Sequence, residues 1–171
     1  ENAEAAQAEA VVPLAVGAIA NDGELRETTV EAAQAGADTP VAAKPAWEAI
    51  GDPTEVSLIV AARKVKADRK FANYTRVGEI PFTSDRKRMS VVARDNADAG
   101  RLTVFAKGAP DVLLEYCSRI AVDGAVRPMT QGDRQQILAT VERLSSEAYR
   151  TLGQAYRPLG TASLADVPGV A

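Results

Sequence analysis

Histidine is absent from these 171 residues, and cysteine occurs once, at position 117. The first absence removes Ser-His-Asp and Cys-His triads, histidine-centred acid–base chemistry and histidine metal sites together. The second excludes an internal disulfide and a cysteine-rich zinc site, and it fits a reducing compartment. There is no run of about 20 apolar residues to cross a membrane and no charged-then-apolar leader. Neither G-x-x-x-x-G-K-[ST] nor G-x-G-x-x-G occurs, so a bound nucleotide would not rest its phosphates on a glycine-rich helix N-terminus. Such a domain would instead grip the base and leave the phosphates protruding.

What is present is ordinary globular composition, 46% hydrophobic and 25% charged, in a chain long enough for one domain with a core. The net charge of −3 hides an asymmetry: residues 63–94 carry ten Lys/Arg against three Asp/Glu. A positive zone on an otherwise acidic domain suits an anionic ligand, although charge runs are commonly solvated faces. The chain opens on "ENAEAAQAEAVVPL", helix-forming residues without an initiating Met, and is expected to be a piece of a longer protein.

Residues 3–20 read as an Ala-rich helix with Val12, Val16 and Ile19 on one side and Pro13 as a candidate kink. Residues 24–30 alternate as a strand, and Trp47–Ile50 is the expected returning strand. Between them, 31–46 is rich in Ala, Pro and Gly, without periodicity, and is read as a flexible insertion. "GDPTEVSLIVAARK" is a helix start, with Asp52 as N-cap, Pro53 in the first turn and Glu55 where a capping-box acid belongs. Strands are predicted over 74–80, 88–95 and 101–106, the last two joined by the "NADAG" turn. A short helix follows Pro110, then a hairpin with Asp-Gly at its tip. Next comes a long amphipathic helix whose buried face holds Ile137, Leu138, Val141 and Leu144. "RTLGQAYRPL" is a final strand, and the tail from about 160 is expected to be loosely held. Hairpin-linked strands with flanking helices predict an α+β fold with a largely antiparallel sheet.

The stretch "IPFTSDRKRMSVV" places Phe82 and three cations at the mouth of a strand. A Phe beside a strand is ordinarily core, but Pro81 before it and the cations after it point to a stacking platform for something flat and anionic. Strand alternation puts Lys87 and Met89 on one side, the lysine for phosphate and the soft thioether for a base edge. Arg86 and Arg88 are then expected to point the other way, to solvent or partner carboxylates. In "VFAKGAP", Lys107 follows an alternating strand, and Gly108 lets a ligand approach the backbone; a turn glycine with a snorkelling lysine is the simpler alternative. Glu55 is sufficiently explained as a capping acid, yet its carboxylate can also accept from an exocyclic adenine amine. Arg150, taken alone, is an unremarkable surface arginine.

Together and in order, "AIANDGEL", "GDPTE", "IPFTSDRKRMSVV", "FAKGAPDVLLEYC" and "YRTLGQAYRPL" resemble the nucleotide-binding domain of P-type cation-transporting ATPases. The resemblance is nearest to the type II pumps, which include calcium and sodium/potassium ATPases, and it runs from residue 18 to about 159. It implies a mainly antiparallel sheet flanked by helices, with ATP's adenosine in a pocket upon it. By that resemblance Phe82 stacks on adenine, Glu55 hydrogen-bonds its amino edge, Lys87 and Met89 line the pocket, Lys107 and Gly108 form its floor, and Arg150 reaches ribose or phosphates. Mg2+ is held mainly by the phosphates and by a separate phosphorylation domain, so no metal ligand and no catalytic residue is expected in this chain. Heavy-metal pumps use a histidine-proline pair in this domain, which cannot exist here. The family's phosphorylated aspartate lies in DKTGTLT, which this sequence lacks, so the chain is not expected to turn over ATP alone.

The implied partners are ATP and the phosphorylation and actuator domains of one longer chain. The implied setting is the cytoplasmic side of an integral membrane protein, with no direct membrane contact by this domain. A non-catalytic module binding single-stranded nucleic acid through residues 63–94 is the alternative; the acidic balance elsewhere and an aromatic content of 5% argue against it. A purely structural interaction domain would leave Phe82, Lys87 and Lys107 unexplained as a set.

Overall fold

Met89, Val91 and Ala93 alternate along one strand and face Phe105 on the next, and all four are buried. That alternation decides the architecture, because a strand apolar on this face must be covered by another element. In the computed structural model, which describes residues 2–30, 44–160 and 163–167, the cover is the first helix, α1 (Asn2–Ile19). Its Val12, Val16, Ile19 and the following Ala20 pack onto the strand residues. Pro13 lies inside α1 without splitting it, contrary to one expected option. Phe71 and Tyr74 close the cluster over Phe105, with ring centroids 4.8 and 5.5 Å from it.

The central sheet has four antiparallel strands in the order β3-β4-β5-β8: β3 (Tyr74–Ile80), β4 (Arg88–Asp95), β5 (Leu102–Gly108) and β8 (Gly153–Gly160). A bulge at Val77 shifts the β3–β4 register. The β4–β5 turn is the predicted "NADAG" hairpin. Two separate ribbons complete the strands. One is β1 (Glu24–Val30) with β2 (Lys44–Ile50); the other is β6 (Arg119–Val122) with β7 (Ala125–Pro128). At the tip of the second, Asp123 and Gly124 both have positive φ, the backbone a two-residue turn of this kind demands. The returning strand β2 starts three residues before the expected Trp47, so 44–46 do not belong to an insertion; 31–43 lie outside the described residues. In the predicted tail, Leu164–Asp166 forms a 3-10 turn.

Helix α2 (Pro53–Lys64) and the 3-10 turn after it (Ala67–Arg69) pack beside α1 through small residues, Ala15 against Ala62 and Ala67. Helix α3 (Pro110–Tyr116) follows β5 directly, with Pro110 in its first turn. Helix α4 (Gln131–Ser146) begins with a full capping box, Thr130 with Asp133, and Arg127 grips the Asp133 carboxylate through two 2.7 Å bonds. The expected buried face of α4 does not form: none of its residues is buried, Leu138 is 43% exposed, and Ile137, Val141 and Leu144 are half-covered. The reason is its place, against α3 and the β6–β7 ribbon and away from the sheet. The fold is α+β with antiparallel pairing throughout the described residues, as the sequence predicts.

Candidate functional site

The "GDPTE" segment builds the first part of the site. Gly51, at φ +109, lets the chain turn so closely that a side chain there would meet the Gly23 backbone at 3.1 Å. Asp52 then caps α2, accepting from the Thr54 and Glu55 N–H groups at 2.8 and 3.3 Å. The bonds from Thr54 hold its carboxyl below the ordinary carboxylate range. Glu55 sits in the capping-box position, yet its side chain turns away from the cap. One carboxylate oxygen takes the Lys107 ammonium at 2.5 Å, and the other accepts the Asp22 N–H at 3.3 Å. The simpler explanation of Glu55, a capping acid, is therefore not what its side chain does.

Lys107 is one residue from the end of β5 and only 7% exposed. A lysine so withdrawn from water needs a partner, which Glu55 supplies. The ladder sets Lys107 opposite Met89 on one side and Gln154 on the other, so the three share a face of the sheet. The side-chain oxygen of Gln154 is buried and unpaired among the described residues.

The Phe82 loop is the second part. Phe82 is 60% exposed. The loop around it is fixed from within: Arg86 donates to the Pro81 carbonyl at 2.8 Å, and the Lys87 N–H donates to the Thr83 carbonyl at 2.8 Å. It is fixed to β5 as well, because the Ala109 N–H donates to the Lys87 carbonyl at 2.9 Å. Gly108 makes this possible. A Cβ there would lie 2.4 Å from the Lys87 oxygen and 2.6 Å from the Arg88 Cβ, which only glycine avoids.

Three expectations about this loop are corrected. Lys87 is not on the strand: β4 begins at Arg88, and Lys87 is an exposed residue at φ +50. Strand alternation therefore does not link it to Met89, which is 2% exposed and packed in the core with Val16 and Phe105. Arg86 and Arg88 reach neither open solvent nor carboxylates. Arg86 bonds the carbonyls of its own loop, and the Arg88 guanidinium lies 4.2 Å over the Tyr116 ring of α3.

Arg150 comes from the segment before β8 and donates to the Thr54 hydroxyl at 3.4 Å. It thus stands at the N-terminus of α2, one residue from Glu55. The fold therefore gathers Glu55, Lys107 and Arg150 at one place, and it ties Gly108 to the backbone of Lys87, with Phe82 on the same loop. Two neighbours escaped the sequence reading. Asn21 is a buried polar residue bonded to the Glu55 carbonyl at 2.9 Å, a role that no local pattern marks. Gln154 sits in a strand of mixed polar and apolar residues, where nothing local marks it.

Two further cations of 63–94 are engaged with neighbouring side chains. Arg63 lies 5.0 Å over the Trp47 ring, and Arg76 pairs with Asp22 and Glu79. No group of three or more acidic or thiol ligands suited to a metal occurs among the described residues. No described helix is long and apolar enough to cross a membrane. The thiol of Cys117 is pushed up by burial, and a raised thiol is a poor nucleophile.

Comparison with known proteins adds the following. The family described as "P-type ATPase, cytoplasmic domain N" matches residues 13–168. A calcium-transporting ATPase of Bacillus subtilis is 41% identical over 111 residues, which is 64% of this chain and 12% of that protein. A probable cation-transporting ATPase F of Mycobacterium tuberculosis is 37% identical over 109 residues, 62% of this chain and 11% of that protein. A sodium/potassium exporting P-type ATPase of Schizosaccharomyces pombe is 35% identical over 118 residues, 68% of this chain and 11% of that protein. The matched part of the chain spans about an eighth of the length of these relatives, 11–12%.

Proposed function

Since the chain belongs to the family of P-type ATPase cytoplasmic N domains, we propose that it binds ATP by the adenosine and, in the whole protein, presents the γ-phosphate to an aspartate of the phosphorylation domain. The whole protein would then be an ATP-driven cation pump in a membrane, with this domain on the cytoplasmic side and the phosphorylation and actuator domains as its partners. Phosphoryl transfer is mostly positioning and electrostatics, so a domain that only holds and aims ATP still sets the rate.

The observation that carries this reading is the partly buried Glu55–Lys107 pair, joined through Gly108 to the loop that exposes Phe82. The residues fit a nucleotide. Phe82 offers an open ring face for adenine. Glu55 keeps acceptor capacity for the 6-amino group, since a carboxylate has about four lone-pair sites. Lys107 and Gly108 form the floor, with Met89 below it in the core. Lys87 and Arg150, both exposed, reach toward ribose and phosphates. Mg2+, which screens the phosphate charge, is held by the phosphates and the phosphorylation domain, so this chain supplies no ligand. No residue here accepts the phosphoryl group, and the chain alone binds ATP without turning it over.

Titration of ATP into the 171-residue chain, followed by NMR shifts or nucleotide fluorescence, tests the reading. Stacking contributes roughly 1–3 kcal/mol per base, so Phe82→Ala should raise Kd about tenfold; Lys107→Ala should raise it at least as much. If both variants bind like wild type, the site is misassigned. If an oligonucleotide displaces ATP with a steep salt dependence, the domain is a nucleic-acid binder.

A further inference from the structure

We infer that Asn21, through the α1–β1 turn it organises, is the positioning residue that aims the Glu55 carboxylate and so sets selectivity for 6-amino over 6-oxo purine nucleotides. This rests on the reading of Glu55 and Phe82 as adenine contacts.

Asn21 follows the end of α1 and is 8% exposed. Both ends of its carboxamide are engaged. The amide nitrogen donates to the Gly17 carbonyl at 3.0 Å and to the Glu55 carbonyl at 2.9 Å, and the amide oxygen accepts the Gly23 N–H at 2.7 Å. Two carbonyls on one end and an N–H on the other fix the amide's orientation, since the flipped form would oppose like groups at all three contacts. One side chain thus locks three segments: the end of α1, the first turn of α2 and the start of β1.

The consequence falls on Glu55. With Asn21 bonded to the Glu55 carbonyl and to the Gly23 N–H, the intervening Asp22 N–H is directed at the Glu55 carboxylate, 3.3 Å away. Arg76 braces the same turn from β3, donating to the Asn21 carbonyl at 3.2 Å and to the Asp22 carboxylate at 2.9 Å. Lys107 fixes the other carboxylate oxygen. A carboxylate held at both oxygens keeps its free lone pairs in a fixed direction, where a donor amine is accepted and a carbonyl oxygen is repelled. Close approach of Gly51 to Gly23 leaves no space for the turn to relax toward α2. Aspartate lacks the two donors, and an apolar residue removes all three side-chain bonds and leaves the Gly23 N–H without its acceptor.

The test is the ratio of ITP to ATP dissociation constants in the 171-residue chain. Wild type should prefer ATP by about tenfold, which corresponds to about 1.4 kcal/mol. Asn21→Ala should lower that preference about fivefold, through weaker ATP binding, with ITP changed less than about twofold. Asn21→Ser, whose shorter hydroxyl cannot reach all three partners, should lower the preference about threefold and decides the matter if Asn21→Ala does not fold; Arg76→Gln, on the partly exposed brace, should lower it about twofold. A merely structural role would weaken both nucleotides in parallel. A constant ratio in the folded variants therefore overturns the inference. Equal wild-type affinity for ATP and ITP also overturns it, while a Phe82→Ala loss keeps the nucleotide reading standing. A wild-type chain that binds neither nucleotide overturns both.

Discussion

At the Glu55–Lys107 end of the candidate site, a buried lysine and a partly buried glutamate are held by each other and by a backbone N–H of the α1–β1 turn. At the Phe82–Lys87 end, the side chains stand in solvent, and what is fixed is the backbone beneath them. The first arrangement couples recognition to stability, because an unpaired buried charge is costly. The second does not, because an exposed ring makes few contacts to lose. Mutation at the two ends should therefore separate binding from folding.

The largest effect is expected at the buried end. Lys107→Met leaves Glu55 without its cation and should cost about 3 kcal/mol of stability, roughly a 9 °C fall in Tm for a domain of this size. Adding Glu55→Gln should restore much of the loss, which thermal melts of the single and double variants will show; no recovery would mean that the pair is not the stabilising unit. At the exposed end, Phe82→Ala should leave Tm within about 1 °C while weakening ATP about tenfold; a matching fall in Tm would erase the distinction between the ends. The smallest effect lies far from both, on α4. Arg127 and the Thr130 cap hold the Asp133 carboxyl well below the usual carboxylate range. A depressed folded pKa gives stability that is present above the unfolded value of about 4 and is lost as the pH falls through the folded one. The Tm difference between wild type and Asp133→Asn should then be widest near pH 7, shrink below about pH 4, and leave ATP affinity unchanged.

The elements with strong local signals were legible in the sequence. Asp52-Pro53 announced α2, Asp123-Gly124 announced the β6–β7 turn, and the strand predicted over 88–95 matches β4 in full. What misled was local pattern read beyond its reach. Lys87 lies one residue before β4, in a left-handed conformation that alternation cannot foresee, so its pairing with Met89 failed. The apolar positions of α4 implied a buried face, but helical periodicity says which side is apolar and not how much covers it. Glu55 was explained well enough by capping that nothing local pointed to Lys107, 52 residues away.

By itself the sequence determined the α+β class, the antiparallel hairpins, the helix starts and the family motifs, because those depend on contacts within a few residues or on patterns of period two and 3.6. Tertiary structure alone decided that "ANDG" braces "GDPTE", that Glu55 faces Lys107 and that Gly108 receives the Phe82 loop. Each of these joins segments far apart in the chain. Each turns on the direction of a single N–H, carboxylate or absent Cβ, which is set only once α1, α2 and the central sheet are packed together.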